Sequence, residues 1–268
     1  MRVFIMLVLA IITAGVSHAA TAQTSSPPIG IVIMHGKGGM PSRHVASLAS
    51  SLEDKGCLVA NLEMPWSERR EYDVSVIAAE KEVEEAFAAL QKRGARKLFI
   101  AGHSQGGMFA MYYGGKHPVD GVIAIAPGGS VSSQAFREKL GKSVERARAL
   151  IAEGKGDTKT RFDDFESSKG TYPVVATPAA YLSWFNPAGA MNMPSAVRSM
   201  PPKIPVLWIV AKNDYPPLRQ INLPLFRSLP PHRFTRLYEP DSDHRGAPSA
   251  SRDEIVRWLA EAATAEER

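Results

Sequence analysis

Gly102-His103-Ser104-Gln105-Gly106 constrains this chain more than any other stretch, because of what stands on either side of it. Lys97-Leu98-Phe99-Ile100-Ala101 is a short apolar run suited to a buried strand. Gly107-Met108-Phe109-Ala110-Met111-Tyr112-Tyr113 is small and apolar, suited to a buried helix start. A G-x-S-x-G at such a junction makes a turn that brings strand and helix backbones too close for side chains at the glycine positions. The turn carries the Ser104 hydroxyl at its tip. The pentapeptide alone also fits an ordinary Gly-rich turn; the flanking strand and helix favour the tighter geometry.

Around this junction strands and helices alternate. Ile29-Gly30-Ile31-Val32-Ile33-Met34 reads as a central strand, and residues 41–52 as a helix with Val45, Leu48 and Leu52 on one face. Residues 58–62 form a strand, and residues 74–90 an amphipathic helix burying Val76, Val83, Phe87 and Leu90. Another strand follows at 119–126. Near-continuous apolar strands separated by helices predict an α/β fold, a mostly parallel sheet covered on both faces. Residues 128–203 break the alternation with a charged helix at 132–153, a polar loop and an aromatic patch; this segment is expected to be a helical lid inserted into one core. The alternation resumes with a strand at 204–210, a helix at 218–229 and a strand at 233–238. The last helix opens on Ser251-Arg252-Asp253-Glu254, a capping-box pattern, and buries Ile255, Trp258 and Leu259.

The 268 residues and 44% hydrophobic content suit a single large domain, expected over 23–268. Residues 1–22 read as a cleaved signal peptide: Arg2, an apolar run over 3–16, then small-x-small sites ending at Ala19 and Ala22. That run is short of the roughly 20 residues a membrane-spanning helix needs, so no stable membrane anchor is expected and the protein is placed in the periplasm or outside the cell. The net charge of +5 is spread over interleaved acids and bases, which argues against nucleic acid as a partner. Cys57 is the single cysteine, in a setting that suits a small core hydrophobe, and no disulfide can form within the chain. The seven histidines are scattered without metal-ligand spacing, and no cofactor motif is present.

A serine hydroxyl is a poor nucleophile without a base, and the base needs an acid to orient it. The strand at 204–210 runs into Ala211-Lys212-Asn213-Asp214, which puts a carboxylate at the active edge of such a sheet. One helix and one strand later comes Glu239-Pro240-Asp241-Ser242-Asp243-His244. Ser104 as nucleophile, Asp214 as acid and His244 as base is the resulting assignment. His117 and His232 fall at the wrong end of the sheet, and His103 is expected to pack beneath the turn. Asp241 and Asp243 are too close in sequence to His244 to orient it easily. An oxyanion formed at this serine needs preorganised donors. The backbone N–H of Gln105 is one; Lys37, in His35-Gly36-Lys37-Gly38-Gly39 after the first strand, is expected to give the other. The loop lacks the Lys-Ser/Thr pairing of a nucleotide-binding P-loop.

Together, HGKGG, GHSQG, Asp214 and the late His244 resemble the α/β-hydrolase superfamily, from Ile29 to the C-terminus, with the insertion where the family places its lid. The chain leaves no clear room for the two antiparallel strands many members carry first, so a reduced sheet of about six strands is implied, as in dienelactone hydrolase-like and small serine-esterase relatives. The resemblance implies hydrolysis of a small-molecule ester, thioester or amide through an acyl-enzyme. A carboxylic ester is the leading expectation; a peptidase or amidase acting on envelope material, or a non-catalytic binding protein on the same fold, are the alternatives. Tyr181, Trp184 and Phe185 in the insertion, and Trp66 at the end of the second strand, are expected to line an apolar substrate pocket, although packing of the insertion would select the same aromatics. Arg69 and Arg70 suit a solvated loop better than a receptor for a substrate carboxylate.

Overall fold

All six apolar runs expected in the main sheet become strands, and they pair in parallel. The computed structural model describes residues 27–167 and 169–264; the expected signal peptide lies outside them. The first half runs β1 (Ile29–Met34), α1 (Ala46–Asp54), β2 (Leu58–Leu62), α2 (Val76–Lys92), β3 (Lys97–His103), α3 (Gln105–Gly114) and β4 (Gly121–Ile125). The insertion carries α4 (Gln134–Ala152), β5 (Thr160–Glu166), β6 (Gly170–Ala176), α5 (Pro178–Phe185) and α6 (Met193–Arg198). The chain returns with β7 (Val206–Ile209), α7 (Pro216–Arg227), β8 (Arg236–Tyr238), α8 (Ala247–Ala250) and α9 (Arg252–Ala263).

The sheet order is β2-β1-β3-β4-β7-β8. Successive residues of β1 alternate between two cores: Val32 and Met34 face α2, α3 and the insertion, while Ile31 and Ile33 face α1 and α9. That double burial is why the strands read as continuous apolar runs. The register sets Met34 beside Gly102, His103 beside Ile125, and Ile209 beside both Ile125 and Tyr238. The loops leaving these strands therefore open on one edge. The carboxyl end of β7 is tied further to that of β8: Lys212 and Asn213 donate from their backbone N–H to Pro240 and Ser242 carbonyls at 3.0 Å each.

Three local expectations are corrected. Residues 41–45 are turns, and α1 starts only at Ala46. The capping box at Ser251 does not form; among the described residues its Oγ is buried without a hydrogen bond, and Glu254 pairs with Arg236 and Arg257 instead. The insertion is not wholly helical, because its polar loop is the antiparallel hairpin β5–β6 with Phe162 opposite Val174. Thr160-Arg161-Phe162-Asp163-Asp164 alternates in burial, Phe162 and Asp164 inward, and Gly170 opens β6 at φ +78°.

Candidate active site

Ser104 sits between β3 and α3 at φ +54°, a left-handed conformation that a non-glycine residue holds only under constraint. The constraint is visible on each side. Ser104 donates from its N–H to Ile125 O at 2.8 Å, and its carbonyl accepts from the N–H of Met108 and of Gly128. A Cβ at position 102 would collide with the Gly106 backbone, and one at 106 would lie 2.5 Å from Met34 O. Among the described residues nothing hydrogen-bonds to Ser104 Oγ. A Cβ placed on Gly128 would stand 3.6 Å from that oxygen and 3.4 Å from Leu218, so the space beside the hydroxyl is kept by a glycine and walled by α7.

Asp214 is 4% exposed in the loop after β7. Its Oδ1 accepts from the Tyr215 N–H at 2.7 Å and from His244 Nδ1 at 2.8 Å, while Oδ2 is buried with no hydrogen-bond partner among the described residues. A carboxylate only accepts, so the proton of a neutral His244 is on Nδ1 and Nε2 keeps its lone pair. The imidazole has two ring neighbours, His103 at 4.8 Å and Tyr215 at 5.0 Å between centroids. His103, immediately before Ser104, is buried as expected and does more than pack: its Nε2 donates to the His244 carbonyl at 2.8 Å. Burial drives its pKa down to about 3, with the charge of His244 adding to the effect. His103 thus joins the serine turn to the histidine loop as a neutral hydrogen-bond donor.

The glycine-rich loop after β1 is fixed from below. His35 is 2% exposed, donates from Nδ1 to Gly36 O at 2.8 Å and accepts the Met64 N–H on Nε2 at 3.0 Å. Burial lowers its pKa, in keeping with that neutral form. Gly38 donates to Trp66 O at 2.8 Å. Among the described residues no hydrogen bond takes up the Lys37 N–H or the Gln105 N–H. The latter is the first amide of α3, where a helix leaves its donors open and its dipole favours negative charge.

Sequence reasoning placed Ser104, Asp214, His244, Lys37 and Gln105 at one edge, and they share that edge here. The four aromatics expected to line a pocket are all buried in packing contacts. Trp66 is 2% exposed and donates from its indole N–H to His35 O at 2.8 Å. Trp184 is 1% exposed, 5.5 Å from the rings of both Trp66 and Phe109, and donates to Val74 O. Tyr181 is fully buried, stacked at 4.3 Å on both Phe162 and Phe185, with its hydroxyl on Asp163 O. Trp66 and Phe185 each show an edge to a cleft, of about 260 and 420 Å³, and Ser104 lines neither. The insertion must bury one face on the sheet's helices, and large aromatics supply the most area per residue. Arg69 pairs with Glu63, and Arg70 with Glu82 and Asp73, so neither guanidinium is held for a substrate.

Missed in the sequence were Tyr215 and the hydrogen bond of His103 beside His244, and Asp164 inside the insertion.

Residues 31–258 match the model of the alpha/beta hydrolase family. A search of curated proteins gives no match. Among solved structures, a monoacylglycerol lipase from Paleococcus ferrophilus is 19% identical with a TM-score of 0.60, covering 87% of this chain and 94% of its own. A thermostable carboxyl esterase from Bacillus coagulans, bound to glycerol, is 15% identical with a TM-score of 0.60 over 90% and 92%. Est1E from Butyrivibrio proteoclasticus, bound to ferulic acid, is 16% identical with a TM-score of 0.57 over 89% and 92%. At these identities the likeness is one of fold.

Proposed function

The chain belongs to the alpha/beta hydrolase family, and on that premise we propose that it is a serine hydrolase cleaving a small carboxylic ester. The observation that carries this is the Asp214–His244 hydrogen bond of 2.8 Å, which leaves Nε2 as a free base on the edge where a strained Ser104 holds an unbonded hydroxyl. In this reading Ser104 Oγ attacks the ester carbonyl while His244 Nε2 takes its proton. The imidazolium so formed is stabilised by Asp214, and the tetrahedral oxyanion by the N–H groups of Lys37 and Gln105. His244 then returns the proton to the leaving alkoxide. Water, deprotonated by the same imidazole, releases the acid from Ser104. The lipase and esterases among the neighbours support an ester over an amide.

Intact-mass labelling with a fluorophosphonate tests the assignment without knowledge of the natural substrate. One adduct on the wild type and none on Ser104→Ala is the expected result. A wild type that stays unlabelled and turns over no small ester removes the catalytic reading in favour of a binding protein. Export through residues 1–22 is proposed from the sequence pattern alone; N-terminal sequencing of the secreted or periplasmic product should start after Ala19 or Ala22.

A further inference from the structure

Both residues whose amides are assigned to the oxyanion have side chains that converge on one carboxylate, Asp164 of the inserted hairpin. Lys37 reaches it directly, Nζ to Oδ1 at 2.5 Å. Gln105 reaches it through Tyr72: Gln105 Nε2 donates to the Tyr72 hydroxyl at 3.4 Å, which donates to Asp164 Oδ2 at 2.9 Å. Tyr172 adds a bond to Oδ2 at 3.0 Å, and the Phe165 N–H one to Oδ1 at 2.6 Å. Asp164 is buried, its side chain 1% exposed.

Three features set this cluster apart from an ordinary ion pair. The Lys37 side chain is 9% exposed, and its ammonium also donates to Phe165 O and lies 5.1 and 5.7 Å from the ring centroids of Phe136 and Phe185. A lysine placed between two glycine-containing steps would ordinarily point to water. Next, Glu71 and Tyr72 are consecutive non-glycine residues at φ +45° and +60°, a costly conformation that lasts only where its surroundings over-determine it. It is what brings the Tyr72 hydroxyl to Asp164. Finally, the backbone bonds that hold the Lys37 loop are made by Gly36, Gly38 and Gly39, and among the described residues Lys37 itself is tied only through its side chain.

We propose that Asp164 is a positioning residue: through Lys37, and through Tyr72 to Gln105, it fixes the two amides that receive the oxyanion, so that the insertion completes the site without touching substrate. The proposal rests on the serine-hydrolase reading. Oxyanion stabilisation depends on donors being in place before charge develops. Loosening the Lys37 loop therefore slows the chemical step while leaving ground-state binding almost alone.

The test is the kinetics of fluorophosphonate inactivation of the full chain, split into the limiting rate and the half-saturating concentration. Asp164→Asn is expected to lower the limiting rate by about tenfold or more, less than the 10²–10³ of deleting an oxyanion donor outright. The half-saturating concentration stays within about twofold, and labelling still runs to one adduct per chain, which loss of folded protein would not allow. Lys37→Met/Asp164→Asn should be slower than Lys37→Met by less than Asp164→Asn is slower than the wild type, because the Lys37 arm is already lost and only the Tyr72–Gln105 arm is left to disturb. If Asp164→Asn does not fold, that charge-neutral pair and Tyr72→Phe, which leaves no charge unpaired, carry the test with the same expectation. A labelled wild type beside folded variants with unchanged limiting rates overturns the proposal alone. A wild type never labelled at Ser104 overturns the hydrolase reading and this proposal with it.

Discussion

Asp214 and Asp164 are both buried carboxylates bound to the nitrogen of a basic side chain, and they are satisfied in opposite ways. Asp164 accepts four hydrogen bonds, two on each oxygen, and its partner is a lysine enclosed with it. Asp214 accepts on Oδ1 and leaves Oδ2 buried and bare. A carboxylate short of donors gains most when its neighbour becomes cationic, which suits an acid that must stabilise a transient imidazolium. One already saturated by a permanent cation has nothing further to gain from a proton moving nearby, and holds geometry. The two also differ in what holds them. Asp214 and His244 stand together through the backbone bonds between the ends of β7 and β8, whereas Asp164 and Lys37 meet across 127 residues of chain through side chains alone.

Asp214→Asn gives the sharpest break between the two. Asparagine keeps the shape but offers a donor where Nδ1–H needs an acceptor, so His244 loses the required tautomer. With Ser104 as nucleophile, kcat on a small ester should fall about 10⁴-fold, or about 5.5 kcal/mol, with the thermal midpoint little changed. A loss under tenfold would move the acid role to Asp241 or Asp243.

Lys37→Met asks the converse question. It strands the Asp164 carboxylate in the interior, and breaking one partner of a buried pair costs about 3–5 kcal/mol of folding stability. Denaturant unfolding should show that loss, and Lys37→Met/Asp164→Asn should recover most of it. Equal stability of the single and double variants would mean that solvent reaches Asp164 and that the cluster is not closed.

Trp184→Ala bears on how the insertion is attached. Removing a buried aromatic typically costs about 3–5 kcal/mol, and the loss should appear in unfolding, with KM for a short ester unaltered. A raised KM with stability intact would return Trp184 to the substrate pocket, where the sequence reading had put it.

How much was legible beforehand follows the same division. The parallel sheet, its six strands and the serine turn were readable because each rests on local pattern: doubly buried strands are continuous runs, and Gly102 and Gly106 are demanded by backbone contact. Asp214 and His244 were readable because strand ends locate them. The insertion was not. Tyr181, Trp184 and Phe185 look alike whether they line a pocket or glue a segment to α3, and only tertiary contacts decide. The hairpin was hidden because its inward positions are Phe162 and Asp164, and an aspartate on the buried face breaks the apolar alternation that marks a strand. Its partners Lys37 and Tyr72 lie far away in sequence.

His103 belongs to both regimes and gives the smallest effect at neutral pH. Its place is set locally by the serine turn, yet its hydrogen bond to the His244 carbonyl is a side-chain tie across the site. Burial holds its folded-state pKa at about 3, against an ordinary value of 6.5. Between those values the unfolded chain binds a proton that the folded chain refuses, so folding stability contributed by His103 is full above about pH 6.5 and is lost as pH falls toward 3. The slope is up to about 1.4 kcal/mol per pH unit for one proton. His103→Gln replaces the imidazole with a side chain that does not titrate, and its amide can still donate to the His244 carbonyl. The variant should flatten the stability–pH curve across this window while keeping most activity at neutral pH. A curve that keeps the wild-type slope would assign the acid sensitivity to other groups and leave His103 as a hydrogen-bond donor alone.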